Sequence, residues 1–268
     1  VSGLKVALKS FTRERALEGR TVLGLGLAAS SPLLGPEEFS EALEDSGMTS
    51  LQPALEPLTE SGLPVMLEQT PLAAAMGEYL FGEAQGPFLY LHGGEQMRGG
   101  MVLEDHLLRG YQGRAGDLGS VLLESSETAH EASESRVNDL LGLKAVAKAA
   151  GVVEQDAEKA FAALLHKLEH KDEQALGAVR KAGKRLGKLT ALLACMVNPR
   201  VCVLDGPLGE LGHGLLEAAQ LELASQLGAV QAEALLLRPS RNGQDTPAVG
   251  AAALVLHALP MSRRSRTH

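Results

Sequence analysis

The chain of 268 residues is poor in the residue types that build several common kinds of functional site. It has no tryptophan and only 3% aromatic residues, so side chains that stack on nucleic-acid bases are scarce. Its two cysteines, Cys195 and Cys202, cannot form a disulfide framework or a structural zinc site by themselves. We interpret both as small core residues, and we expect a reducing cytoplasm.

Long apolar runs are also lacking. The stretch 248–256 is far shorter than the roughly 20 residues that a membrane helix needs, so we expect no membrane partner. Charged residues Lys5, Lys9 and Arg13 interrupt the opening segment, which therefore does not look like a secretory signal. The net charge of −8 argues against nucleic-acid binding through bulk electrostatics. The sequence contains no nucleophile elbow, Walker loop or CxxC pair.

Short apolar segments alternate with longer segments of helical periodicity, which is typical of an α/β fold. Strands are predicted over residues 21–29, 63–67, 87–92, 101–104, 121–124, 201–204 and 232–237. Helices are predicted over residues 4–17, 51–61, 71–81, 137–150, 155–170, 172–196, 215–226 and 247–257. In the longest helix, apolar residues including Leu192 recur at helical spacing, and the polar segment 125–135 is predicted to be a loop or a disordered segment.

Two glycine-rich segments are candidates for ligand binding. Segment 93–100 can present backbone N–H groups to a phosphate, but Glu95 would repel the phosphate and Arg98 would compensate only in part. The simpler interpretation is a tight hairpin whose glycines adopt positive φ. Segment 110–120 carries Arg114 and Asp117, which can bond a polyol, although a structural loop with solvated charges explains it as well.

A third candidate follows the strand 63–67. Glu68, Gln69 and Thr70 lie at the carboxyl end of this strand, where α/β folds hold ligands. The alternative is an ordinary helix start, with Thr70 as the N-cap before Pro71. Elsewhere, His166 and His170 lack a third metal ligand at motif spacing, so we interpret them as part of a solvated face.

The order of five segments resembles the ROK family of sugar kinases and sugar-responsive repressors. They are LPVMLEQTPLAAAMGE (63–78), the glycine-rich stretch 94–110, GRAGDLGS (113–120), VNPRVCVLDGPL (197–208) and the small-residue helix 250–256. The resemblance implies an actin-like fold of two ribonuclease H-like α/β lobes with a ligand cleft between them. Residues 1–84, closed by a helix at 247–259, would form the N-terminal lobe, 85–246 the C-terminal lobe, and 260–268 a basic tail. No Asp-x-Gly-x-Thr motif stands at the start of the chain, where the family has it, so the first strands of the first lobe are expected to be missing from this chain.

The resemblance also identifies site positions, and the sequence departs from the family at most of them. Thr70 stands at the position of the catalytic Asp base, and Gln69 at that of a sugar-binding Asn. Asp117 replaces a longer sugar-binding Glu, and Ser120 replaces a zinc-ligating His whose partner cysteines are also absent. The phosphate-loop remnant keeps three glycines and changes the residues between them; it comprises Gly94, Glu95, Arg98, Gly99 and Gly100.

These departures predict a non-catalytic ROK domain without zinc or another cofactor. We expect it to be the effector-binding and dimerisation part of a transcriptional regulator, a homodimer with a carbohydrate effector held by Glu68, Gln69, Thr70, Asp117 and Ser120. DNA would be contacted only through a segment not present in this chain. One alternative is an atypical ATP-dependent sugar kinase using Mg²⁺, for which Glu68 is the only nearby carboxylate. The other is a structural remnant without a ligand.

Overall fold

The computed structural model of the chain describes residues 13, 22–29, 63–82, 86–111, 114–128 and 131–258. The predicted helix 4–17 (except residue 13), the predicted helix 51–61 and the tail 260–268 lie outside these ranges. Within them, no helix is both long enough and apolar enough to span a bilayer.

Strands and helices follow each other along the chain in mixed order. The strands are β1 (Leu25–Ala29), β2 (Val65–Gln69), β3 (Phe88–Gly93), β4 (Met97–Leu103), β5 (His106–Leu107), β6 (Leu122–Thr128), β7 (Glu131–Arg136), β8 (Val201–Asp205) and β9 (Leu236–Pro239). The helices are α1 (Thr70–Phe81), α2 (Val137–Leu141), α3 (Leu143–Ala149), α4 (Ala157–Glu169), α5 (Glu173–Val197), α6 (His213–Leu227), α7 (Ala229–Ala234) and α8 (Thr246–Ala258).

The main sheet has five strands in the order β5-β4-β3-β8-β9. Strand β3 lies at its centre, antiparallel to β4 and parallel to β8, and β9 continues the parallel part. Strands β1 and β2 form a separate two-stranded parallel sheet in which Leu27 lies opposite Leu67. Because β3 and β8 are parallel, their carboxyl ends meet at one edge, which is where α/β folds place ligands.

The side chains of β3 divide the core into two layers. Leu89 and Leu91 point to one face of the sheet, where they join the cluster formed with α2 to α6. Phe88 and Tyr90 point to the other face and pack in the cluster that contains residues of α1 and α8. This alternation follows from the two-residue period of a strand, and it makes β3 the common wall of both layers.

Most predicted elements differ from the structure by a few residues, as the strand predicted at 21–29 does by beginning at Leu25, and three differ in ways that matter more. The strand predicted at 101–104 begins earlier, at Met97, so it includes Gly99 and Gly100. The helix predicted at 137–150 breaks at Gly142, because the N–H of Leu143 turns to donate to the carbonyl of Gly94 at 2.9 Å. The strand predicted at 232–237 is correct only in part, since helix α7 occupies its first residues.

The prediction for residues 121–135 was wrong in two respects. The segment 121–124 does not continue the main sheet, and 125–135 is not a loop, because β6 and β7 form an antiparallel hairpin of their own. A hairpin satisfies its backbone hydrogen bonds between its two strands, so a polar sequence can form one without a buried face. Its base is held by the N–H of Val137, which donates to the carbonyl of Val121 at 2.9 Å.

Helix α1 is enclosed along most of its length. Residues 71–78 are all buried, and α1 packs against β3, β4 and α8. The contact with α8 leaves no room for larger side chains, because a Cβ on Gly250 would lie 2.0 Å from the carbonyl oxygen of Ala73. A Cβ on Gly77 would likewise lie 2.8 Å from the Cα of Gly250.

A buried carboxylate fixes the C-terminal half of α1. Glu78 is fully buried, and its Oε2 accepts a hydrogen bond from Nη2 of Arg238 at 2.9 Å. Its Oε1 accepts from the hydroxyl of Ser240 at 2.8 Å and from the N–H of Arg241 at 3.0 Å. Charge-assisted hydrogen bonds to both oxygens offset the cost of burying the charge, and they connect α1 to the segment between β9 and α8.

We predict opposite effects for two glycine substitutions in helices. Gly250→Ala should lower the free energy of unfolding by about 2 kcal/mol or more, because the added methyl would overlap the α1 backbone. Gly177→Ala should raise it by up to about 1 kcal/mol, since nothing lies within 4 Å of the added carbon and alanine favours helix. Denaturant unfolding of both variants checks this, and a neutral result for Gly250→Ala would contradict the packing described here.

Candidate functional site

The first part of the candidate site is the junction of β2 and α1. Glu68 and Gln69 end β2 and are each only 6% exposed, and α1 begins directly after them. Gln69 has the extended conformation of an N-cap residue, and Thr70 is the first helical residue, followed by Pro71. The prediction that Thr70 is the N-cap was therefore wrong by one position, because the chain turns into helix immediately after the last strand residue.

Both oxygens of the Glu68 carboxylate are engaged within the protein. Oε2 accepts a hydrogen bond from Nε of Arg109 at 2.7 Å, and Oε1 accepts from the N–H of Gln69 at 2.9 Å. Charge-assisted hydrogen bonds are stronger than neutral ones, so these contacts hold the carboxylate in place. Arg109 thus binds the oxygen that a ligand hydroxyl would also have to approach.

Arg109 is a site residue that sequence reasoning missed. It follows β5 and lies 41 positions from Glu68 along the chain, so no motif spacing connects the two. Its side chain is 53% exposed, whereas that of Glu68 is 7% exposed. The cation therefore lies between the buried carboxylate and solvent. The only available signal was a basic residue at the end of a predicted strand pair, which is too common to identify a partner.

The glycine-rich segment is the turn of the β3–β4 hairpin, as its simpler interpretation predicted. The expected reason was wrong, however, because Gly93, Gly94, Gly99 and Gly100 all have φ outside the left-handed region. These glycines are needed for close approach instead. A Cβ on Gly93 would lie 2.5 Å from the Cβ of Leu208, and one on Gly100 would lie 2.9 Å from the carbonyl oxygen of Pro71.

The charged side chains of this turn have partners within the protein. Glu95 forms an ion pair with Lys144 on α3 at 3.1 Å, and both side chains are about half exposed. Arg98 donates to the side chain of Gln96 at 3.0 Å. The side chain of Asn138 accepts from the N–H of Met97 at 2.8 Å, which fixes the turn against α2.

The loop 110–120 packs beside β4. Gly116 has φ +87°, and a Cβ there would lie 2.0 Å from the carbonyl oxygen of Gly99, so this position requires glycine on two grounds. The N–H of Gly99 donates to the carbonyl of Gly116 at 2.8 Å, and Asp117 pairs with Arg98 as a β-bridge. Exposed Asp117 is thus held next to the β3–β4 hairpin.

The predicted site residues form one contiguous region with one exception. Gly100 reaches the first turn of α1, and the N–H of Ala115 donates to the carbonyl of Arg109 at 3.0 Å, so the β2–α1 junction, β4 and the loop adjoin. Ser120 lies at the base of the β6–β7 hairpin, where its carbonyl accepts a hydrogen bond from Arg136. Among the hydrogen bonds and ion pairs of the described residues, none joins Ser120 to Glu68 or Thr70.

A cluster of titratable groups at the ends of β3 and β8 was not predicted. Asp205 is 5% exposed and accepts a hydrogen bond from the hydroxyl of Tyr90, while Nδ1 of His92 lies 3.6 Å from its Oδ2. Burial raises the pKa of Asp205, but the neighbouring His92 ring, the Tyr90 hydroxyl and the N–H of Gly206 outweigh it, so the pKa lies below its ordinary value. Burial raises the pKa of Tyr90. The sequence signal was an Asp-Gly pair ending one strand and a His ending its neighbour.

The described residues include no group of three histidines, cysteines or carboxylates placed to hold a metal ion. The rings of His166 and His170 contact each other, with centroids 4.2 Å apart. Cys202 is buried as predicted, and burial raises its pKa to about 12, so it remains a thiol at neutral pH. The same prediction was wrong for Cys195, which is exposed on α5 because the core-facing side of that helix carries smaller or more apolar residues.

Comparison with known proteins identifies the family. The model of the ROK family matches residues 6–258, nearly the whole chain. The chain belongs to the ROK family. Its sequence is 24% identical over 203 residues to the xylose repressor of Bacillus subtilis, an alignment that covers 74% of this chain and 52% of that protein. It is 27% identical over 198 residues to the bifunctional enzyme NanE/NanK of Brucella melitensis, covering 72% of this chain and 35% of that enzyme.

The chain thus spans about half and about a third of these two curated relatives. Among solved structures, a ROK hexokinase from Thermus thermophilus superposes with a TM-score of 0.74 and 27% identity, covering 95% of this chain and 86% of that one. A ROK family transcriptional regulator, a homologue of the Escherichia coli MLC protein, gives a TM-score of 0.68 at 18% identity, covering 96% and 68%. ROK sugar kinases have the actin-like ATPase fold, so the predicted family and fold class are confirmed.

The Asp205 cluster predicts a specific response to acid. Because the pKa of Asp205 is lowered by folding, its contribution to stability is complete above the ordinary carboxyl pKa of about 4 and is lost as the pH falls through the lower folded value. Asp205→Asn should therefore be less stable than the parent near pH 6, and the difference should shrink as the pH falls below about 4.

Denaturant unfolding between about pH 2 and pH 7 measures this difference. The matched control is Glu154→Gln, which removes an exposed carboxylate and should leave the curve unchanged. A stability difference that is independent of pH would contradict the role given to the Asp205 carboxylate.

Proposed function

We propose that this chain is a non-catalytic ROK domain that binds an effector and dimerises within a transcriptional regulator. The proposal rests on two features of the β2–α1 junction, the residue at the position of the base and the contacts of the neighbouring carboxylate. The position that the ROK resemblance gives to the catalytic base holds Thr70, and the adjacent carboxylate of Glu68 is already bound by Arg109 and Gln69.

Loss of the base removes a large part of any phosphoryl-transfer rate. A threonine hydroxyl cannot accept a proton at neutral pH, and general-base catalysis contributes roughly 10²- to 10⁴-fold. Glu68 is the only carboxylate next to this position along the chain, and it would have to exchange Arg109 for the ligand hydroxyl before it could act.

The charge of the β3–β4 turn supports the same proposal. A nucleotide phosphate bound at this turn would meet the carboxylate of Glu95, and two like charges at close range repel each other. The two cations beside this turn already have partners within the protein, since Lys144 pairs with Glu95 and Arg98 donates to Gln96. We therefore propose that the domain works without ATP, magnesium or zinc.

A polar ligand remains compatible with the site. Gln69, Thr70 and Asp117 supply hydrogen-bonding groups within one region, which suits a carbohydrate. One relative in the family is a xylose repressor, which supports a role in sugar-responsive regulation. In this proposal the domain is a cytoplasmic homodimer, and DNA is contacted by residues outside the chain.

The alternative function with some support is an ATP-dependent sugar kinase of unusual chemistry. It is favoured by the likeness to the Thermus thermophilus ROK hexokinase, which covers 95% of this chain. It requires another base than Thr70 and a turn that tolerates phosphate beside Glu95. A remnant that binds nothing is the other alternative.

The proposal predicts stabilisation of the chain by at least one sugar. A ligand at 100 times its dissociation constant adds about 2.7 kcal/mol to the free energy of unfolding, which is a shift of several degrees for a chain of this size. We expect such a shift in a thermal unfolding screen of pentoses, hexoses and amino sugars, and no shift with ATP and magnesium.

The variant Asp117→Asn should weaken the sugar-induced shift, because it removes an exposed acceptor of the candidate site, whereas Glu154→Gln, far from that site in sequence, should not. If no sugar stabilises the chain, it is a remnant and the proposal fails. If a sugar stabilises it only together with ATP and magnesium, the kinase alternative is favoured.

A further inference from the structure

The exposed side of helix α5 forms a continuous face from its second turn to its C-terminal end. Its members recur three or four residues apart and therefore lie on one side of the helix. We call it the α5 face; it consists of Gly177, Lys181, Lys184, Lys188, Leu192, Cys195 and Met196. Over these residues the helix rises about 29 Å.

The first half of the α5 face is strongly cationic in an otherwise acidic chain. With Arg180 and Arg185 at its sides, five of the nine residues 180–188 are basic, although the net charge is −8. Several of these cations are four residues apart, an arrangement of like charges that destabilises a helix. Such a local cost without a compensating contact is typical of a functional surface.

Only part of this charge is balanced within the described residues. Glu124 of β6 lies 3.1 Å from Nη2 of Arg185 and 3.7 Å from Nζ of Lys188, and the hydrogen bond from Arg185 holds the pKa of Glu124 below its usual value. On the neighbouring helix α6, Glu222 packs beside Gly187, but its carboxylate accepts from Gln226. In the described part of the chain, neither Lys181 nor Lys184 has a carboxylate oxygen within 4 Å, although the charge of Lys181 also contributes to the lowered pKa of Glu124.

The second half of the α5 face is apolar and exposed. Leu192 is 59% exposed and Met196 is 85% exposed, and Cys195 between them is exposed as well. Leu192 belongs to the apolar periodicity of the helix, and the structure places it on the exposed side. At the opposite end, Gly177 has nothing within 4 Å of where a Cβ would stand, so no contact in the described chain requires glycine there.

The α5 face is basic in its first half and apolar in its second half. A partner must therefore match both halves in this order. A second copy is a poor match, because a parallel arrangement would set lysines against lysines and an antiparallel one would set lysines against Leu192 and Met196. Nucleic acid would neutralise the lysines but leave the apolar half uncovered. A helix with carboxylates along one half and apolar side chains along the other matches both halves.

We propose that the α5 face is a docking surface for an acidic amphipathic helix of another protein. Its carboxylates would lie against Lys181, Lys184 and Lys188, and its apolar side chains would cover Leu192 and Met196. The absence of a side chain at Gly177 would let the partner approach closely at one end. None of the residues of the α5 face belongs to the candidate effector site, so the inference does not rest on the proposed function.

A designed peptide tests the proposal directly. The probe is a synthetic helix of about 20 residues, long enough to follow the face, with glutamates in one half and leucines in the other; a scrambled peptide of the same composition is its control. We expect the 268-residue chain to bind the designed peptide and not the scrambled one in fluorescence anisotropy. Reversal of two charges in Lys181→Glu/Lys184→Glu should weaken binding about tenfold or more.

Two further variants separate the contributions of charge and apolar surface. Lys148→Glu/Lys159→Glu makes the same change of net charge at exposed lysines of other helices and should bind as the parent does. Leu192→Ser/Met196→Ser keeps the lysines and should also weaken binding. Circular dichroism confirms that each variant is folded before it is compared.

Four results would overturn the proposal. The first is that the designed peptide does not bind, and the second is that the Lys181/Lys184 variant binds it equally well. The third is self-association of the chain that disappears in the Leu192/Met196 variant. The fourth is binding of a duplex DNA of about 20 base pairs that needs the lysines but not the apolar residues. The last two results would assign the face to a second copy and to nucleic acid, respectively.

Discussion

The enclosure of helix α1 is the constraint on which the other features of the described structure depend. A helix buried along residues 71–78 must present small residues where α8 crosses it, and it must satisfy any charge that it carries. Ala73, Gly77 and Gly250 meet the first requirement, and the contacts of Glu78 with Arg238 and Ser240 meet the second. With α1 fixed along its length, the position of its first turn is also fixed, and with it the candidate site.

Near the first turn of α1, two carboxylates form ion pairs with basic side chains of the same chain. Arg109 binds Glu68 and Lys144 pairs with Glu95, so these two carboxylates of the candidate site have partners within the protein, whereas Asp117 is exposed. A phosphoryl-transfer site needs carboxylate oxygens and backbone donors that are free to meet a substrate. The ROK fold is thus retained while Glu68 and Glu95 are paired with cations, and on this pairing we base the proposal of a binding role without catalysis.

The sequence predicted the positions of strands and helices better than it predicted the contacts between their side chains. Apolar segments such as 63–67 and 87–92 became strands within one or two residues, because buried strands are recognisable from composition and length. The hairpin β6–β7 was missed because most of its residues are polar, so the sequence shows no alternation of apolar and polar residues there. Arg109 and Tyr90 were missed because their partners lie 41 and 115 positions away, a separation that only the fold brings together.

The central claim is that this ROK domain does not transfer phosphate, and the most direct test is the rate of ADP formation from ATP and magnesium in the presence of a panel of hexoses and amino sugars. The account predicts no sugar-dependent ADP formation above the rate without protein. It would be contradicted by sugar-dependent ADP formation that is lost in Glu68→Gln and kept in Glu154→Gln, because Glu68 would then act as a base in spite of its contact with Arg109.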